Sequence, residues 1–236
     1  MRAEELTAAE FADIVKKSPV AFMPFGAMEA HGPHLPLGTD SLQPEALCNA
    51  LAKRLGGIVF PTISYGHHSS TRNMPGTIAI SYDTLRSLTK DVLESLERNG
   101  ITRMVLVSGH AGTLHMAAIR NAAEEFVRRS RAKVMVLSDY DIASMFPMSE
   151  NREWPDGHGG MIETSRIMAI RPDLVRKQRP RGRFYDKGYM IVPDPETCMP
   201  EGMVGDTTEA SAELGERVNS FILERLAELV ERNLMR

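Results

Sequence analysis

The stretch that decides the fold is Ile101-Thr-Arg-Met-Val-Leu-Val-Ser-Gly-His-Ala-Gly112. Its centre, Met104 to Val107, is apolar at every position, as a parallel strand buried on both faces requires. Ser108-Gly109-His110 then places polar residues at the strand's carboxyl end. A helical pattern follows to about residue 129. The same unit repeats outward. Short apolar runs at 20–23, 58–60 and 133–137 read as strands, the first ended by Pro24-Phe25-Gly26 and the second by Pro61. Helices are expected at 8–17 behind the capping box Thr7-Ala-Ala-Glu10, at 42–55, at 82–99 behind Ser81, at 161–170 and at 209–233. Strands alternating with helices define an α/β fold with a mainly parallel, doubly wound sheet, whose ligands sit at the carboxyl ends of its strands. One domain is expected over residues 1–236. Residues 139–158 read as irregular. Residues 171–205 are rich in Pro and Gly and carry a basic run from Arg171 to Lys187, read as a solvated, subunit-contacting excursion.

The 236 residues are 42% hydrophobic and 25% charged, which fits a globular chain and not a disordered one. A net charge of −3 gives no nucleic-acid footprint. Two distant cysteines, Cys48 and Cys198, make neither a disulfide framework nor a CxxC site, so a reduced compartment is expected. The N-terminus has no apolar signal core, and no run of about 18 apolar residues spans a membrane. The expected location is the cytoplasm.

All seven histidines lie between His31 and His158, and the last 78 residues have none. Three histidine-bearing segments begin at expected strand ends, so the histidines converge on one region. In Met28-Glu29-Ala30-His31, an extended segment turns Glu29 and His31 the same way. Asp40 follows nine residues after His31. Mixed imidazole and carboxylate donors suit zinc, manganese or iron. The spacing alone leaves metal binding and a structural polar loop both open. His110 strengthens the first, because it sits at the end of a strand in the same sheet. His158 is flanked by Gly157, Gly159 and Gly160, an exposed and mobile setting that suits a general acid or base. Glu163 falls in the first turns of the next helix, where a carboxylate is favoured in any case.

Together these pieces resemble the creatininase (creatinine amidohydrolase) family. The matching motifs are Gly26-Ala-Met-Glu29-Ala-His31-Gly-Pro-His-Leu-Pro-Leu-Gly-Thr-Asp40, Pro75-Gly-Thr77, Gly109-His-Ala-Gly112, His158-Gly-Gly-Met-Ile-Glu-Thr-Ser165 and Gly202-Met-Val-Gly-Asp206. The resemblance implies a three-layer α/β/α sandwich, a centre of two divalent metal ions and a homo-oligomer, possible as a hexamer. Glu29, Asp40 and His110 would hold one ion. His31 and Asp40 would hold the second, with Asp40 bridging. Creatininases carry a glutamate where this chain has Gly112, and Glu163 is the candidate replacement ligand. His158 and Glu163 are the expected catalytic residues. Ser69, Ala111 and Trp154 are the expected substrate contacts. Creatininases also place an aromatic side chain where Ala111 stands, which points away from creatinine itself.

The implied activity is metal-dependent cleavage of a C–N bond in a small cyclic amide or formamide by activated water. The partner is then a small molecule, with neither nucleic acid nor membrane. A peptidase trimming a cofactor-precursor peptide and a catalytically silent metal- or ligand-binding scaffold are the alternatives.

Overall fold

A computed structural model describes residues 1–148 and 155–236. Its main sheet has four strands, β1 (Val20–Phe25), β2 (Ile58–Val59), β3 (Arg103–Ser108) and β4 (Lys133–Ser138), all parallel and ordered β2-β1-β3-β4. Six helices interleave with or follow them: α1 (Ala8–Val15), α2 (Thr39–Leu55), α3 (Tyr82–Arg98), α4 (Thr113–Val127), the short α5 (Tyr140–Ala143) and α6 (Met161–Ile170). The chain closes with α7 (Ala212–Val230). No helix among the described residues is long and apolar enough to cross a membrane.

Strand alternation divides the core in two. Val20, Phe22, Val105 and Val107 face one side and pack on Leu47 and Leu51 of α2 and on Val218, Ile222 and Leu226 of α7. Ala21, Met23, Met104 and Leu106 face the other and pack on Leu85 and Leu93 of α3 and on Ile119 and Phe126 of α4. The result is the expected three-layer α/β/α arrangement. Cys48 is buried in the first of these layers, the expected filler role.

Of the boundaries that differ from the sequence reading, two bear on the site. β1 does not stop at Pro24 but runs on to Phe25. The Pro24 carbonyl accepts from Ile63 N–H at 3.0 Å, beyond the point where β2 has ended, so the donor that proline lacks faces no neighbouring strand. α2 begins at Thr39, three residues earlier than its apolar pattern predicts. Asp40 therefore sits in the first helical turn, where the helix dipole favours a carboxylate. In the excursion at 171–205, two short strands, β5 (Arg181–Gly182) and β6 (Gly205–Asp206), pair antiparallel.

The end of β4 is tied to the helical layer by one ion pair. Arg166 of α6 donates to Asp139 at 2.6 Å and to Asn219 of α7 at 2.9 Å, and the side chains of Arg166 and Asp139 are 1% and 0% exposed. Removing one partner of a buried pair strands the other charge. Arg166→Ala is expected to lower unfolding free energy by about 3–5 kcal/mol. Urea denaturation measures this, and a loss below ~1 kcal/mol would show that the pair does not hold these layers together.

Candidate metal centre

The carboxyl ends of β1 and β3 meet the start of α2. Gly109 N–H donates to Phe25 O at 2.9 Å, closing the seam between the strands. A Cβ at position 109 would lie 2.2 Å from Asp40 O, so only glycine lets the first turn of α2 approach this strand end. The loop after β1 is pinned from the far side. Thr77 of the Pro75-Gly-Thr77 motif accepts the Ala30 N–H at 3.0 Å, and Ile78 N–H donates to Met28 O at 3.0 Å.

Within this frame the predicted donors converge. Asp40 presents one oxygen to each of two imidazoles: Oδ1 lies 3.0 Å from His31 Nε2, and Oδ2 lies 3.2 Å from His110 Nδ1. Glu29 Oε2 is 2.8 Å from His110 Nδ1, and Glu163 Oε1 is 3.6 Å from His31 Nε2. His31, Asp40 and Glu163 offer ligand atoms that all lie within 4.8 Å of one another, and so do Glu29, His68 and His110. Both imidazoles are oriented from behind. His31 donates from Nδ1 to the Glu29 carbonyl at 3.0 Å, and His110 donates from Nε2 to the His67 carbonyl at 3.1 Å. Their other nitrogens are thereby turned toward the carboxylates, as for imidazoles aimed at a cation.

These atoms suit divalent cations better than they suit each other. Glu29 Oε2, His31 Nε2 and Asp40 Oδ2 are buried and have no hydrogen-bond partner, although they stand at contact distance from their neighbours. Buried polar atoms are rarely left in this state. An ion among them satisfies several lone pairs at once, and the oxygen–nitrogen set fits zinc, manganese or iron.

The electrostatics follow from the crowding. Burial alone would lower the His110 pKa, but the Glu29 and Asp40 carboxylates beside it push it up to about 10. Burial opposes protonation of His31 too, and Asp40 and Glu163 raise it well above the ordinary histidine value. Glu29 and Glu163 are buried yet held ionised, Glu29 chiefly by His110 and Glu163 chiefly by His31, with Glu163 at about 2.

His158 departs from its predicted setting. It is half-buried, not exposed, and its segment is pinned. Its Nε2 donates to Ala30 O at 2.7 Å, and its ring lies 4.1 Å from that of His31. Val204 N–H donates to His158 O at 2.6 Å, and Gly157 N–H donates to Val204 O at 3.1 Å. The flanking glycines serve close packing against a segment some 45 residues away in sequence. Burial, and then the neighbouring His31, lower the His158 pKa.

Glu29, Asp40, Ser69, His110, Ala111, His158 and Glu163 all border one cavity of about 690 Å³. Trp154 lies outside the described residues. Residues not singled out from the sequence also line the cavity, among them Tyr140 of α5, and Phe184 and Met199 from the excursion read as subunit-contacting. His34 and His115 are structural. His34 donates from Nε2 to Thr164 at 2.7 Å, and burial lowers its pKa to about 4. His115 accepts the His67 N–H at 3.3 Å and contacts Ser108 Oγ at 3.1 Å, and burial beside His110 lowers its pKa to about 2.

A three-layer α/β/α chain with carboxylates and imidazoles gathered at its strand ends has the architecture of a metallohydrolase. The family model for creatininase, described as creatinine amidohydrolase, matches residues 4–230. The chain belongs to the creatininase family. It is 31% identical to a creatinine amidohydrolase of Pseudomonas putida, over 96% of this chain and 94% of that one. It is 28% identical to a mycofactocin precursor peptide peptidase of Mycolicibacterium smegmatis, over 91% and 85%. Among solved structures, a creatinine amidohydrolase superposes with a TM-score of 0.87 at 29% identity, covering 98% of this chain and 96% of that one. A manganese creatininase superposes with a TM-score of 0.84 at 30% identity, covering 98% and 97%.

The raised imidazoles make a pH prediction. A cation can bind His110 or His31 only by displacing its proton. Loading should therefore release about two protons per chain near pH 7, and apparent affinity on the His110 side should rise with pH until about 10, where that imidazole deprotonates unaided. Calorimetry of zinc binding in buffers of different ionisation enthalpy counts the protons. Binding without proton release would show that the imidazoles are not displaced from their protons by the ion.

Proposed function

We propose that this chain is a two-metal amidohydrolase that cleaves a C–N bond in a small cyclic amide or formamide. The observation that carries the proposal is the divided carboxylate of Asp40, with one oxygen at 3.0 Å from His31 and the other at 3.2 Å from His110. A carboxylate so placed can bridge two ions, the first held with Glu29 and His110 and the second with His31 and Glu163. Divalent ions bound there supply Lewis acidity toward a carbonyl and lower the pKa of a coordinated water.

The protein's own groups divide the remaining work. His158 donates from Nε2 to Ala30 O, so Nδ1 is the nitrogen that accepts a proton and returns it to the leaving nitrogen. Its lowered pKa keeps it neutral and ready to accept. Glu163 stays ionised near neutral pH and accepts from Gly159 N–H at 2.6 Å, so it acts as a metal donor, and proton transfer falls to His158. Ser69 and Ala111 face the substrate. A cavity of about 690 Å³ is within the usual range for small ligands, and Ala111 presents only a methyl group to it.

The mycofactocin-peptidase relatives favour a second reading, trimming of a short peptide at the same cavity. A panel of creatinine, formylated aminopyrimidines, hydantoins and short peptides separates the two. Fastest turnover of a cyclic amide or formamide supports the first reading, and turnover of peptides alone replaces it with the second.

Two substitutions test the division of labour. Asp40→Ala should lose both ions, whereas His158→Ala should keep them and lose turnover by ~100-fold or more, the scale of general acid–base catalysis. Elemental analysis beside kcat decides. Two ions retained by Asp40→Ala would contradict the bridge, and ions lost by His158→Ala would make that histidine a ligand.

A further inference from the structure

His68 lies in the loop at 62–80, beside Glu29 and His110. Its imidazole is fully buried, and neither ring nitrogen has a hydrogen-bond partner. A buried imidazole unsatisfied on both nitrogens is unfavourable without a ligand. It faces two members of the centre, Glu29 and His110. His68 Nδ1 lies 3.4 Å from Glu29 Oε1 without hydrogen-bond geometry, and its ring centre is 4.8 Å from that of His110. Ligand atoms of Glu29, His68 and His110 lie within 4.8 Å of one another.

The loop bearing His68 is built around this centre. Ile80 N–H donates to Gly66 O at 2.9 Å, and His67 N–H donates to His115 Nδ1 at 3.3 Å, fixing the loop on both sides. From that position the His67 carbonyl sets the orientation of His110, and the Thr71 hydroxyl donates to Glu29 Oε1. One short segment thus orients both other donors and places His68 beside them.

Position 112 cannot supply a further donor in this arrangement. A Cβ there would lie 2.5 Å from His110 Nε2, the atom that donates to the His67 carbonyl. Glu163 cannot supply it either, since its carboxylate is turned to His31, Gln43 and Gly159.

We infer that His68 is a ligand of the ion held by Glu29 and His110, completing from the 62–80 loop a coordination set that the His110 segment leaves short. This inference rests on the two-metal reading of the site. A histidine that only positioned Glu29 would leave two imidazoles on the ions, those of His31 and His110. A ligating His68 gives three.

The test titrates metal-stripped wild type, His68→Gln and His68→Ala with zinc and follows heat. Wild type should bind two ions. In both variants one site should weaken by more than about 100-fold, beyond the roughly 10–100-fold typical of residues that merely orient a ligand, while the other is unchanged. The cobalt-substituted wild type, labelled with 15N-histidine, gives an independent count by paramagnetic NMR. Three strongly shifted imidazoles are expected, falling to two in His68→Gln. If the variants do not fold, the wild-type spectrum decides. Two shifted imidazoles, or two tight sites in His68→Gln, would overturn the assignment while leaving the two-metal reading intact. Failure of wild type to bind any ion would instead remove that reading, and the inference with it.

Discussion

The centre depends on one carboxylate, that of Asp40, shared between two imidazoles carried by the segments that follow two different strands. Sharing is possible because α2 begins at Thr39, and its first turn is driven against the end of β3 at a glycine. Move that turn by one residue and the side chain rotates by about 100° around the helix, since an α-helix has 3.6 residues per turn. Asp40 would then face neither His31 nor His110. The fold and the chemistry are thus coupled through a single helix start, which the helix dipole favours and the Gly109 contact fixes.

Around that carboxylate the protein spends many backbone groups on orientation. The Glu29, Ala30 and His67 carbonyls each receive an imidazole N–H, from His31, His158 and His110 respectively. Two of the three belong to the loop after β1 and the third to the loop at 62–80. Each bond fixes which ring nitrogen remains open, toward the carboxylates for His31 and His110, and for the proton transfer proposed for His158. The buried pair of Arg166 and Asp139 sits behind this arrangement and holds α6, which carries Glu163, against the end of β4.

Much of this was legible in the sequence, for identifiable reasons. The apolar run Met104–Val107 and its neighbours gave the parallel sheet, because strands buried on both faces cannot alternate with polar residues. Glu29, His31, Asp40, His110 and Glu163 could be selected because local motifs carry them, and the fold brings their donor atoms together. The misreadings share a cause. Pro24 reads as a strand end because the sequence does not show that β2 has stopped beside it. His158 reads as mobile because its partner, Val204, is remote in sequence. His68 drew no assignment because the polar loop at 62–80 has no periodicity, although the crowding of histidines in the first two thirds of the chain was a signal that could have found it. Each error concerns a contact between distant segments, which local pattern does not encode.

The position of Asp40 between two divalent ions is open to anomalous diffraction from crystals grown with zinc or manganese, with data on both sides of the metal edge. Two peaks are expected in the cavity flanking the Asp40 carboxylate, one on the side of Glu29 and His110 and the other on the side of His31 and Glu163. A single peak, or two peaks that Asp40 does not separate, in protein that turns over substrate would contradict it.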